Sequence, residues 1–212
     1  MRVIIIITNN NNNLDSDSNK LVEVEQQWVT SSIQHSESVL DEQDTKIKSS
    51  PADDTAIIIT SSWIPSHPSM YMIEMVLNST NLIAGLSPSA PIFITIDNFR
   101  LSDLNDLPPD DQKKRLQALE QYTVNLHNTF LTNPRVHIIA SVRHLHIGGS
   151  VVKVMNLVER HFPTVRYLYY LQHDFSFAKE FNHTALVSAM DEYADKVNYV
   201  LFQQPNLWRR IK

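Results

Sequence analysis

The chain has 212 residues, 42% of them hydrophobic and 19% charged, a composition that suits a globular protein with one good core. A formal charge of −5 and a pI near 6.0 argue against a general nucleic-acid binder. The lack of cysteine excludes disulfides and thiolate metal sites, and Gly85, Gly148 and Gly149 cannot write a G-x-G-x-x-G fingerprint or a glycine-rich phosphate loop.

Met1-Arg2 followed by Val3 to Ile7 imitates a secretory signal. Its apolar core is shorter than the roughly 7–15 residues a signal needs. No apolar run approaches the roughly 20 residues of a bilayer span, so no transmembrane segment is expected. Val3 to Ile7 reads either as a stray strand or as the remnant of something longer. Residues 8 to 55 are polar and irregular, with Asn9 to Asn13, serine-rich patches and scattered acids. Such a segment cannot offset its ordering entropy, so residues 1–53 are expected to be a low-complexity, mostly disordered tail, with Leu21 to Ile33 as a transient helix. Residues 54–212 are expected to form the ordered α/β domain.

Within it, Ile57 to Thr60 predicts a short buried strand. Ser66 then reads as an N-cap with Pro68 in the first turn, before Met70, Ile73, Val76 and Leu77 at helical spacing. Pro91 to Ile96 is a second strand, ending at Asp97. Pro108-Pro109-Asp110-Asp111 starts a long helix with its acids favourably placed at the positive end of the dipole. Its apolar stripe is Leu116, Leu119, Thr123, Leu126 and Phe130, and Asn133-Pro134 stops it. Val136 to Ser141 is a third strand. Gly148-Gly149-Ser150 opens a helix with Val151, Val154, Met155 and Val158 inward.

The most informative stretch follows. Val165 to Leu171 is almost wholly apolar, aromatic or β-branched, too short for a typical helix, and reads as a strand buried on both faces. It stops abruptly at Gln172-His173-Asp174. Asn182 caps a helix running to Ala194, and Val197 to Phe202 is a fifth strand. Five strand–helix alternations imply βαβ units and an open, mostly parallel, Rossmann-like sheet with helices on both faces.

The carboxyl ends of such strands share one edge, where ligands bind. The residues delivered there are Thr60-Ser61-Ser62-Trp63, Asp97-Asn98, Ser141 to His146, and Gln172-His173-Asp174. Asp174 is suited either to hold a divalent cation that holds a phosphate, or to cap the next turn. Trp63 either stacks on a base or covers the sheet edge. Gly148-Gly149-Ser150, with Lys153 one turn in, either presents backbone N–H groups to a phosphate or is a loop with a serine cap. His144 and His146, joined by His173 and His183, suit a zinc centre or are polar edge residues. The sequons at Asn78 and Asn182 read as chance in a chain without a signal.

From Ile57 to Phe202 this order resembles the nucleotide-binding half of a GT-A fold glycosyltransferase. Ser61-Ser62-Trp63-Ile64-Pro65 stands where that family wraps the base, and Asp97 in Ile-Thr-Ile-Asp-Asn where it contacts the nucleoside. Gln172-His173-Asp174 stands at its D-x-D motif, and the helix Gly149 to His161 feeding that strand matches in order. The resemblance implies a nucleotide-diphosphate sugar bound through Mn²⁺ or Mg²⁺, with transfer to a hydroxyl acceptor on a glycan, lipid or protein. It implies Asp174 as metal ligand, Gln172 and His173 along the diphosphate, and Ser61, Ser62, Trp63 and Asp97 around the nucleoside. The chain departs from the family at Gln172, which replaces the first acid. The acceptor half, with the catalytic base of inverting members, would lie beyond Lys212, so a fragment or a shortened relative is expected and no catalytic base is assigned. The family often works in the secretory pathway, although nothing in this chain sends it there. Two other functions stand beside this one: a catalytically inactive nucleotide- or protein-binding module, and a histidine-based metal-dependent hydrolase.

Overall fold

Residues that are β-branched, aromatic or aliphatic on both faces of a strand can be satisfied only inside a covered sheet, and the chain has three such runs among the described residues. In the computed structural model, which describes residues 2–6, 54–63 and 69–202, they form β2 (Thr55–Ser61), β4 (Ile92–Ile96) and β6 (Tyr167–Gln172), while the half-buried Val136–Ala140 forms the edge strand β5. Two more strands, β1 (Arg2–Ile6) and β8 (Tyr199–Phe202), extend the sheet. The order is β5-β4-β2-β6-β1-β8, and every pairing is parallel. The expected open α/β sheet with β6 as an interior strand is therefore present. The sequence left Arg2–Ile6 undecided; it lies between β6 and β8. The remaining tail, residues 7–53, and the Ser66 cap lie outside the described residues.

The helices are α1 (Tyr71–Ser79), a short α2 (Leu101–Asn105), α3 (Pro109–Phe130), α4 (His146–His161) and α5 (His183–Glu192). Alternation along each strand sends side chains to two separate cores. Ile57, Ile59, Ile94, Tyr169 and Leu171 meet Ile73 and Val76 of α1, Tyr122 and Leu126 of α3, and Met190 of α5. Ala56, Ile58, Phe93, Leu168 and Tyr170 meet Val154, Leu157 and Val158 of α4 on the opposite face. At roughly 2 kcal/mol for each fully buried large side chain, these two layers hold the fold together.

Two details differ from the sequence expectation. Leu116 is exposed, because Tyr122 rather than Thr123 leads the buried stripe of α3. Ile83–Ala84 (β3) and Phe181–Asn182 (β7) make a separate two-stranded parallel pair. Asn182 does cap α5, its side chain accepting the Ala185 N–H at 2.9 Å. Among the described residues no helix is long and apolar enough to cross a membrane.

The order of the strands fixes where a ligand fits. From β2 the chain steps outward to β4 and β5, then returns to the other side of β2 at β6. Loops leaving β2 and β6 therefore diverge, opening a crevice at their carboxyl ends, the switch point where open α/β sheets bind ligands.

Candidate functional site

Each strand facing α4 changes character as it reaches this edge. Ala56 and Ile58 are followed on the same face by Thr60, Phe93 by Thr95, and Leu168 and Tyr170 by Gln172. Above this polar layer lies a pocket of about 220 Å³. Thr60, Ser61, Ser62, Thr95 and Asp97 line it from β2 and β4. Gln172 and His173 line it from β6, and His144, His146, Ile147 and Ser150 from the segment that enters α4.

Several of these groups are tied down. Thr60 Oγ1 lies 3.2 Å from the Tyr170 hydroxyl, which also accepts the Gln172 amide N–H at 3.5 Å. Ser61 Oγ lies 2.8 Å from the Tyr122 hydroxyl and so ties β2 to α3. Burial pushes the pKa of both tyrosines up, so both keep their protons at neutral pH. Others are not tied down: the hydroxyls of Thr95 and Ser150 are buried without a hydrogen-bond partner.

Asp97 organises the loop after β5. Its Oδ1 accepts the backbone N–H groups of Asn98 at 2.9 Å and Leu145 at 2.8 Å. Its Oδ2 lies 3.1 Å from Nδ1 of His144, and that nitrogen is 2.6 Å from the Asn98 carbonyl. Two acceptors at Nδ1, with the Arg100 Nε–H directed at Nε2 from 3.3 Å, define the tautomer protonated at Nδ1. His146 opens α4 with a left-handed φ of 57°, and its ring is 4.1 Å from that of His144. Desolvation lowers the pKa of His146, and His144 and Arg100 lower it further. Arg100 NH2 is 3.2 Å from His146 Nε2. The rim of the pocket is thus a cluster of the exposed Arg100 and His146 with the half-buried His144.

Of the residues singled out in the sequence, Ser61, Ser62, Asp97, Gln172 and His173 come together around the pocket. Trp63 does not line it; its ring meets Phe99 edge-on at 5.8 Å and packs on the core. Asp174 is exposed in the turn after β6, which the Phe175 N–H closes onto the Gln172 carbonyl at 3.0 Å. Lys153 is half-buried and donates to the Ala140 carbonyl at 3.4 Å, and burial lowers its pKa. His183 is separated from the other histidines, buried against Thr55 at the start of β2 and Tyr169. The four-histidine centre therefore does not assemble. Among the described residues, no three His, Cys, Asp or Glu side chains gather as a metal-binding group. Ser150, singled out with Gly148 and Gly149, does line the pocket, whereas Thr95 and Arg100 were missed as site residues. The available signal was a threonine inside Ile-Thr-Ile, a polar residue in a strand otherwise apolar on both faces.

The fold and site define a parallel α/β protein with a pocket at its switch point that is lined mainly by polar residues. Comparison with known proteins returns no match: no family model, curated protein or solved structure aligns with the chain.

Proposed function

We propose that the chain binds a nucleotide-diphosphate sugar in this pocket and is a glycosyltransferase-like protein. The observation that carries the reading is the pocket's position outside the carboxyl ends of β2 and β6, with Ser61, Ser62 and Asp97 on one side and Gln172 and His173 on the other. Counted among themselves, β2, β4, β5 and β6 stand in the 3-2-1-4 order of nucleotide-binding doubly wound sheets, with β1 and β8 added beyond β6. Ser61, Ser62 and Asp97 would face the nucleoside. One lone pair of the Asp97 carboxylate is open to it after the three internal contacts. Gln172 and His173 would face the diphosphate.

The donor set fits a divalent cation in a limited way. Asp174, exposed in the turn next to His173, would supply one carboxylate to Mn²⁺ or Mg²⁺, which would take its other ligands from phosphate oxygens and water. When bound, such an ion neutralises the diphosphate as it leaves the anomeric carbon. The acceptor would be a hydroxyl of a glycan, lipid or protein.

Thermal unfolding with uridine or guanosine diphosphate tests the reading. At about 100 times the dissociation constant, binding adds roughly 2.7 kcal/mol, a few degrees in melting temperature. The rise is expected to be larger with Mn²⁺ or Mg²⁺. Asp174→Asn should remove that metal-dependent increment and leave the free protein within about 0.5 kcal/mol of wild type, because Asp174 is exposed. Nucleotides that leave the melting curve unmoved with every metal sink the reading. Binding without sugar transfer would make the chain a nucleotide-binding module.

A further inference from the structure

The entry to α4 has a feature that the strand ends lack. This helix is 16 residues long, and its N-cap is Leu145, with no side-chain cap. The N–H groups of its first turn have no partner within the helix and carry the positive end of its dipole. That turn borders the pocket through His146, Ile147 and Ser150. Gly148, in the same turn, is exposed, and a Cβ built on it would meet no atom within 4 Å.

A second observation is independent of the helix. Thr95 and Ser150 line the same pocket, are 1% and 2% exposed, and leave their hydroxyls without a hydrogen bond. Buried hydroxyls in folded proteins are nearly always answered by protein, water or ligand. These two come from different elements, β4 and α4, and both belong to the pocket beside the uncapped turn. Charge agrees with this. Asp97 is the sole carboxylate among the lining residues, and it already accepts two N–H groups and faces His144. Arg100 adds a cation at the rim.

We infer that the amino-terminal turn of α4, with the hydroxyls of Ser150 and Thr95, is a metal-independent subsite for a phosphoryl group. Its oxygens accept hydrogen bonds from the first-turn N–H groups, which can only donate, and from the two hydroxyls, which can turn their O–H toward it. The inference rests on the nucleotide-donor reading only in making that phosphoryl group part of a nucleotide. A donor would then be held at two points, by a cation beside Asp174 and by α4, and part of its affinity survives removal of metal.

The test is inorganic phosphate titrated onto the full chain in EDTA, against chloride at matched ionic strength, followed by melting temperature and calorimetry. A saturable rise with phosphate alone is expected. Gly148→Asp has room for its side chain, and an acid is favoured in a first helical turn, so its unliganded melting point should be unchanged or higher. Its carboxylate should abolish the phosphate response. Ser150→Ala removes a hydroxyl without a partner, so it should melt no lower than wild type yet bind phosphate about tenfold more weakly. No phosphate response beyond that of chloride overturns the subsite, as does full affinity in both variants. A parallel arm with uridine diphosphate and Mn²⁺ separates the two readings. If phosphate binds and nucleotides do not, the subsite stands and the donor reading falls. If nucleotides bind only with metal and phosphate fails, the reverse holds.

Discussion

The two ends of the sheet use the same residue types to opposite effect. Near the amino ends of β2 and β6, Thr55, Tyr169 and His183 form a closed chain of hydrogen bonds. Thr55 Oγ1 donates to Asp54 Oδ1 at 2.8 Å, so it accepts from His183 Nε2 at 3.2 Å, and His183 Nδ1 accepts the Tyr169 hydroxyl at 2.9 Å. Burial lowers the pKa of His183 and raises that of Tyr169, which keeps both neutral and suits this direction of donation. At the carboxyl end, the hydroxyls of Thr95 and Ser150 have no partner, and His146 is exposed. A polar network that answers itself holds a structure together. One left open at a crevice has donors to give a ligand. The contrast sets a closed end against an open one, and the proposed binding falls at the open end.

The largest effect should come from breaking the closed end. His183→Leu keeps volume but removes the acceptor of the Tyr169 hydroxyl and the donor to Thr55, at a cost of about 3 kcal/mol or roughly 6–12 °C in melting temperature. Phosphate and nucleotide binding should be untouched. The same residue sets a pH dependence. Because its folded pKa lies below the ordinary value, the unfolded chain takes up the proton first as pH falls through about 6.5. Stability is therefore full above that pH and declines below it, until the folded pKa is passed. His137, also lowered by burial, adds a decline of the same sign. Urea unfolding at pH 7.5 and 5.5 should show a smaller acid loss in His183→Gln than in wild type. An equal loss would remove His183 from the account.

Asp97 blurs the comparison, because it sits at the open end and is nearly as well satisfied as His183. Asp97→Ala should cost about 2 kcal/mol, since it strands the Asn98 and Leu145 N–H groups and His144. The backbone of residues 141–146 should lose hydrogen-exchange protection. Asp97→Asn keeps an acceptor for the two N–H groups and should cost about half as much. If both variants are as stable as wild type while nucleotide binding is lost, Asp97 belongs to recognition alone.

How much of this was legible depended on whether the signal was local. β6 could be read because an interior parallel strand must be apolar on both faces, and Tyr167 to Leu171 is. β1 could not, because five apolar residues before an asparagine run carry no information about partners that lie far along the chain. The two-residue strands β3 and β7 have no periodicity to detect. In the site, Ser61, Ser62, Asp97, Gln172 and His173 followed from the strand-end rule. Asp174 and Trp63 obeyed the same rule but stand outside the pocket, one exposed in a turn and the other packed on the core. Which way a side chain leaves a turn is decided by packing, not by position. The open hydroxyls of Thr95 and Ser150 are a tertiary property that no local pattern carries.

The smallest expected effect is the most direct test of the contrast. Thr60 and Thr95 stand directly opposite each other on the same face of adjacent strands, and both are nearly fully buried. Thr60 Oγ1 contacts the Tyr170 hydroxyl at 3.2 Å and the Leu171 carbonyl at 3.4 Å, whereas Thr95 Oγ1 has no partner. Valine preserves the shape of either side chain. Thr60→Val should therefore cost about 1 kcal/mol, the ordinary net worth of a hydrogen bond. Thr95→Val should fall within about 0.5 kcal/mol of wild type, or be slightly more stable, because no bond is lost. Phosphate affinity should fall in Thr95→Val. If the two substitutions cost the same in urea unfolding, the Thr95 hydroxyl is already satisfied in solution, and the distinction between a closed and an open end of the sheet fails.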